Sequence, residues 1–386
     1  MAISFAVNPK FVGTFKVNFL PVTYSIQRIK YLNFFKALEI YKGREWKMSF
    51  LPGKMPTEVL QKIVFKHLGT KRNDVVLGPS IGEDAAIVKV GKEVLVIAAD
   101  PITGAEEWLG WLAVNVSAND VATCGVQPRW FTPCILLPKG SKERLIEKIC
   151  SQMDKAAHQL NVAIIGGHCE ITPGLEHPIV TGCSVGVAED GKYVTSSGAK
   201  IGNKIILTKG TGIEGTAILA SDRRQELLEV FDETFIKGAE KFFEKISVVN
   251  DAIAAFKTGG VSAMHDPTEG GVAGGLHELA DAANVGFQVY EEKILIPEET
   301  RKICAHFEID PLQLISSGSL LIVAEREKTE EIVSKLSPNG IHASVIGEVT
   351  KPDLGRKMVT RKREQIELVR PVSDHLWMAL AKQFIR

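Results

Sequence analysis

The sequence predicts an α+β (mixed α/β) chain of two domains. Its 386 residues, 45% of them apolar, suffice for about two domains with cores of their own. Short apolar runs alternate with segments of helical period. Midway, Ser196-Ser197-Gly198-Ala199 and Ile201-Gly202 break the alternation with the small, flexible residues of a linker. The expected divisions are an N-terminal extension over 1–54, a first domain over 55–195, a second over 200–375 and a tail over 376–386.

Thr57 to Leu68 opens the first domain with apolar residues at Val59, Leu60, Ile63, Val64 and Leu68, a helical period that Thr57-Glu58 can start. Strands are expected at about 84–90 and 94–99, joined by the turn Val90-Gly91-Lys92-Glu93. The second should stop where Asp100-Pro101 begins and present the carboxylate at its end, where ligand sites of α/β folds gather. A small-residue helix at about 107–124 reads as tightly packed and buried. A strand near 131–137, a charged helix over 142–160, a buried strand at 162–165 and a glycine-containing strand over 179–188 complete the domain.

The second domain begins with the strand Lys204–Thr208 and a glycine-rich turn, Lys209-Gly210-Thr211-Gly212-Ile213-Glu214-Gly215, that opens a helix. Backbone N–H groups at such a helix start can bind an anion. The glycine spacing is neither that of a P-loop nor that of a dinucleotide-binding fingerprint. Strands near 287–290, 319–324 and 343–348 follow. His265 and His277 have no partner that the sequence names, and surface or core roles are expected for both.

Lys+Arg and Asp+Glu number 46 each, so the global charge makes no case for nucleic acid or an anionic membrane. The six cysteines, Cys124, Cys134, Cys150, Cys169, Cys183 and Cys304, show no C-x-x-C pair or zinc spacing and read as reduced, mostly core residues in a cytoplasmic chain. The first 47 residues stand apart: they hold ten of the 27 aromatic residues, with eight Lys/Arg against two Glu. Three readings fit them. They are an extension packed on the body, a basic aromatic surface-binding arm, or translated upstream sequence with the start at Met48 or Met55.

Chemistry is concentrated in short acidic motifs attached to apolar strands or glycine turns: Gly82-Glu83-Asp84-Ala85-Ala86, Ala98-Ala99-Asp100-Pro101, Asn119-Asp120, Gly166-Gly167-His168-Cys169-Glu170 and Asp266-Pro267-Thr268-Glu269-Gly270-Gly271. A hard divalent cation takes oxygen ligands and commonly joins one or two carboxylates to nucleotide phosphates. Asp84 and Asp100 read either as such ligands or as turn acids capping their own backbone. Asp120 lies in the buried helix, where an acid must be paired, hydrogen-bonded or metal-bound. His168 and Glu170, two apart, share one face of an extended chain. Asp266 reads as a site acid or as a helix-start residue favoured by the dipole.

In this order the motifs resemble those of the AIR synthase (PurM-like) superfamily of ATP-dependent enzymes, which includes the hydrogenase maturation factor HypE, selenophosphate synthetase and thiamine-monophosphate kinase. The likeness runs from about Met55 to about Val372, and Gly-Gly-His-Cys-Glu-Ile-Thr-Pro is most similar to the HypE form. It implies a PurM-like two-domain fold whose N-terminal domain forms a shared β-barrel in a homodimer, with a C-terminal α/β domain. It implies that Asp84, Asp100 and Asp120 bind Mg2+ and ATP phosphates, together with Asn119, Gly166, Gly167, Gly270 and Gly271. His168, Glu170 and Asp266 would be catalytic, and the acceptor a small molecule or a protein-bound group.

The implied reaction moves the γ-phosphoryl of ATP to an amide or carboxylate-type oxygen, which needs positioning and charge neutralisation rather than a nucleophilic triad. HypE ends in a cysteine that carries its substrate, whereas this sequence ends Ala381-Lys382-Gln383-Phe384-Ile385-Arg386. Two other expectations therefore stand beside the enzyme: a nucleotide-binding module that docks on a maturation-factor partner, and a kinase of the thiamine-monophosphate type.

Overall fold

The computed structural model describes residue 50 and residues 52–381. Two compact units divide the chain, Met1–Phe50 and Leu51–Arg386. The first 47 residues, with the three readings of them, lie outside the described ones, and every helix and strand named for this chain belongs to the second unit.

The first seven strands are β1 (Val75–Leu77), β2 (Ala86–Val90), β3 (Glu93–Ile102), β4 (Pro128–Leu137), β5 (Ala163–Ile164), β6 (His168–Ile171) and β7 (Ile179–Glu189). They form one sheet in the order β1-β2-β3-β7-β4-β5, with β6 also paired to β4. β5 and β6 run parallel to β4, and the other pairs are antiparallel. Three helices belong to this half: α1 (Thr57–Lys62), α2 (Leu109–Thr123) and α3 (Glu143–Leu160). All fifteen residues of α2 are buried, and small residues make that possible. A Cβ on Gly182 of β7 would lie 2.7 Å from the Ala113 carbonyl, and one on Gly110 would lie 2.1 Å from the Ile149 carbonyl of α3.

The second half carries β8 (Lys204–Thr208), β9 (Val261–His265), β10 (Gly286–Tyr290), β11 (Leu321–Ala324), β12 (Ala343–Thr350), β13 (Arg356–Val359) and β14 (Gln365–Glu367), in the sheet order β14-β13-β10-β12-β8-β11-β9. Its helices are α4 (Ile213–Asp222), α5 (Arg224–Leu227), α6 (Glu233–Glu240), α7 (Val249–Thr258), α8 (Gly271–Ala283), α9 (Glu298–His306), α10 (Thr329–Leu336) and α11 (His375–Ala381). Val272, Leu276, Leu279 and Ala280 of α8 pack on Phe287, Val289, Leu321 and Ile346 of the sheet. A second cluster runs without a break from α2 and α3 into α4, the 241–245 turn and α7. There Trp108 stacks on Phe243 with ring centroids 4.7 Å apart, and the Trp111 indole donates to the Phe243 carbonyl at 2.7 Å. α2 is thus the element that ties the two sheets together.

Several expectations change. The helix from Thr57 ends at Lys62 and passes into a 3-10 turn, and Ile63, Val64 and Leu68 are exposed while Val59 and Leu60 are half-buried, so the apolar face is only partly covered. β3 does not stop at Asp100 but continues through Pro101 to Ile102. Beyond Ile97 only β7 pairs with it, and a residue lacking an N–H is tolerated on that unpaired side. The strand expected to be buried at 162–165 is a two-residue edge strand with Ile164 and Ile165 exposed. The linker is not loose: Ser196 is buried, and the Ser196 and Ser197 N–H groups donate to Glu83 at 2.9 and 3.0 Å. β9, β13 and β14 were not expected.

Candidate metal and phosphate site

Four aspartates from distant parts of the chain converge. Asp120 projects from α2 and Asp100 from β3, Asp84 precedes β2, and Asp266 follows β9. The Asp84 loop is seated by Gly82, at φ +73°, where a Cβ would fall 2.2 Å from the Glu278 carbonyl of α8. Burial raises the Asp120 carboxyl well above its ordinary value. The charge of Asp100 and a hydrogen bond with it add to the rise, as do Asp266 and Asp84. Asp266 is pushed up to about 7 by burial and by Asp84, with His265 working the other way. Oδ2 of Asp84, Oδ2 of Asp100 and both oxygens of Asp266 are buried without a hydrogen-bond partner.

A basic pair flanks these acids. His265 Nδ1 lies 2.6 Å from Asp84 Oδ1, an ion pair whose angle falls outside hydrogen-bond geometry, and Nε2 lies 3.0 Å from Glu278 Oε2. Burial opposes the imidazolium, but Asp84 and Glu278 outweigh it and lift the ring to about 10, so it is charged at neutral pH. Glu278 sits at about 2, because Lys54 and His265 outweigh its own burial. Lys54 Nζ reaches both Glu278 oxygens at 3.3 Å, and the Lys54 N–H donates to Glu269 Oε2 at 2.5 Å.

This donor set fits a hard divalent cation. It offers only carboxylate oxygens, several of them spare, and the like charges that raise Asp120 and Asp266 are what a cation relieves. Among the described residues no group of three or more His, Cys, Asp and Glu side chains is placed to hold a metal ion by itself.

The other expected residues lie elsewhere. Asn119 is fully buried. Its amide donates to the Ile246 carbonyl at 2.9 Å and accepts from the Val248 N–H at 2.8 Å, so it staples α2 to the second half and its geometry lends no support to a nucleotide contact. His168 and Glu170 are exposed on β6 and pair with each other at 3.1 Å, while the Thr172 hydroxyl donates to Glu170 at 2.7 Å. Neither makes a hydrogen bond or ion pair with the aspartates. Gly166 is in open space, and Gly167 leaves no room for a Cβ against the Pro133 carbonyl. Gly270 and Gly271 have positive φ, and Gly271 is pressed on the Leu312 and Leu314 carbonyls. Asp266 does not cap α8: the Gly270 N–H donates to Asp374 at 2.6 Å. Cys169, which sits between two site candidates and otherwise reads as a small buried residue, is exposed, as is Cys150.

Lys54, Glu83, His265 and Glu278 escaped the sequence reading. His265 directly precedes Asp266 at the end of a strand, a position that could have signalled it. Glu278 lies one α-helical repeat beyond the glycines of α8, which gives no signal at all. His277 is partnered too: it donates to the Leu368 carbonyl at 2.8 Å, accepts from Arg356 at 2.9 Å, and burial lowers it to about 4, so it is neutral.

Two sheets of seven strands bridged by one buried helix, with acids from both halves meeting beside it, define a two-domain α+β protein with a carboxylate-rich interdomain site. Residues 82–188 match the N-terminal domain of AIR synthase related proteins and residues 200–359 match their C-terminal domain, and the chain belongs to that family. A putative hydrogenase expression/formation protein of Methanocaldococcus jannaschii is 29% identical over 313 residues, 78% of this chain and 90% of that protein. Carbamoyl dehydratase HypE of Rhizobium leguminosarum bv. viciae is 29% identical over 251 residues, 64% of this chain and 69% of the relative. Among solved structures, HypE in its complex with HypF superposes with a TM-score of 0.67 at 23% identity, covering 81% of this chain and 99% of that one. HypE in complex with ATP gives 0.63 at 20% identity, covering 86% and 98%. At these identities the superpositions speak for the fold.

Proposed function

We propose that this chain is a magnesium-dependent, ATP-using enzyme of the AIR synthase/HypE type. It transfers the γ-phosphoryl of ATP to an amide or carboxylate-type oxygen of an acceptor, releasing ADP, and the activated oxygen then leaves as phosphate by elimination or on attack by a nucleophile. The observation that carries this reading is the meeting of Asp84, Asp100, Asp120 and Asp266 with four unpartnered buried oxygens. HypE relatives named as carbamoyl dehydratases and a HypE structure holding ATP support it.

In this reading Asp100 and Asp120 hold the metal, with Asp84 and Asp266 beside them. When bound, magnesium and ATP supply charge neutralisation and the phosphoryl group. His265 keeps Glu278 ionised and holds Asp84 in place while remaining a cation itself. His168 and Glu170 are assigned to the acceptor side. Exposed Val75 and Val76 at one edge of the first sheet and Ile164, Ile165 and Ile171 at the other support a homodimer joined through that sheet.

The test is incubation with ATP and magnesium, followed by phosphorus NMR, for the wild type and for Asp100→Asn and Asp120→Asn. Phosphate release that both variants lose supports the reading. Phosphate retained on an added acceptor would point to a kinase of the thiamine-monophosphate type, and tight ATP binding with no turnover to a nucleotide-binding partner protein.

A further inference from the structure

The site has a surplus of negative charge that an incoming polyphosphate must face. Asp84, Asp100, Asp120, Asp266, Glu269 and Glu278 gather there, and among the described residues the cations acting on them are His265 and Lys54. His265 is 3% exposed and has a carboxylate at each ring nitrogen, so no ligand can reach it. Lys54 differs: its side chain is half exposed. Its two contacts to Glu278, 3.3 Å each, are long for charge-assisted hydrogen bonds, which run to about 2.9 Å. An ammonium with three rotatable donors on a flexible stem is well suited to a phosphate oxygen.

The backbone before Lys54 is built to deliver it. Gly53 adopts φ +116°, and a Cβ there would lie 2.8 Å from Glu269 Oε2 and 3.4 Å from the Trp377 indole nitrogen. The Lys54 N–H then closes onto the same Glu269 oxygen. A glycine-only conformation and one backbone hydrogen bond therefore fix where the side chain starts. Lys54 also lies outside residues 82–188 and 200–359, the stretches matched to the family's two domains.

We infer that Lys54 is a phosphate-binding residue of this site, its ammonium passing from Glu278 to the terminal phosphate of ATP when nucleotide binds. The inference rests on the ATP-using reading above. It is tested on the full chain by calorimetric titration of ATP and of ADP, each with magnesium, into the wild type, Lys54→Met, Lys54→Arg and Gly53→Ala. Lys54→Met is expected to weaken ATP at least tenfold while ADP stays within about threefold, the span of one lost charge-assisted hydrogen bond. Lys54→Arg should recover most of the ATP affinity, and Gly53→Ala should reproduce the ATP-selective loss without removing the charge. Unchanged ATP affinity in Lys54→Met, or a parallel loss of ATP and ADP, overturns the inference and leaves the functional reading standing. A wild type that binds neither nucleotide overturns both.

Discussion

Replacing Asp266 by Asn should stabilise the metal-free protein, and by an amount that depends on pH. The Asp266 carboxyl is buried and raised from 3.8 to about 7. At about 1.4 kcal/mol per pH unit, this penalises the folded, ionised state by roughly 4 kcal/mol as an upper bound. The unfolded chain releases this proton near 3.8 and the folded chain near 7, so the folded state holds more protons in between. The contribution is therefore fully favourable below 3.8, is lost as pH rises to about 7, and stays lost above it. Relaxation of the cluster reduces the figure, and half of the bound, ~2 kcal/mol, corresponds to a few degrees in Tm. Thermal melts in chelator should show Asp266→Asn melting above the wild type at pH 8 and level with it at pH 4. Magnesium at ten times its Kd should raise the wild type by about 1.4 kcal/mol and the variant by less. A variant less stable than the wild type at pH 8, or a gap that is the same at both pH values, would refute the reasoning.

Asn119→Ala should cost ~2–4 kcal/mol in urea unfolding, because it leaves the Ile246 carbonyl and the Val248 N–H buried without partners; a loss below about 1 kcal/mol would mean the staple is dispensable. Gly82→Ala should weaken magnesium-dependent nucleotide binding at least tenfold, since a Cβ collides with the Glu278 carbonyl and the Asp84 loop must lift. Calorimetry giving wild-type affinity would show that the loop tolerates the shift. Deleting residues 1–47 should leave Tm nearly unchanged and keep Lys54, and a large drop in a thermal melt would show that the deleted stretch packs on the body.

How much of this was legible depends on the kind of signal. Asp84, Asp100, Asp120 and Asp266 were legible because each acid stands beside a glycine turn, a strand or a buried small-residue run, and α2 because its residues are almost all small or apolar. Their meeting point was not, since it depends on α8 docking against Gly82, a contact 196 residues apart in the chain. The continuation of β3 past Pro101 was hidden because a proline's effect depends on which side of the strand is unpaired. The backbone contacts of Asn119 were hidden for a related reason: a buried amide next to a candidate ligand looks the same in sequence whether it faces a nucleotide or the backbone of another element. His265 and Lys54 were missed because an isolated histidine or lysine says nothing until its carboxylate partners are placed.

The most direct measurement is calorimetric titration of ATP into the full chain with and without magnesium, followed by phosphate release on the same sample. The expected result is binding that requires magnesium, is lost in Asp120→Asn, and is followed by release of phosphate. Binding that is indifferent to magnesium and to Asp120, or no binding at all, would contradict it.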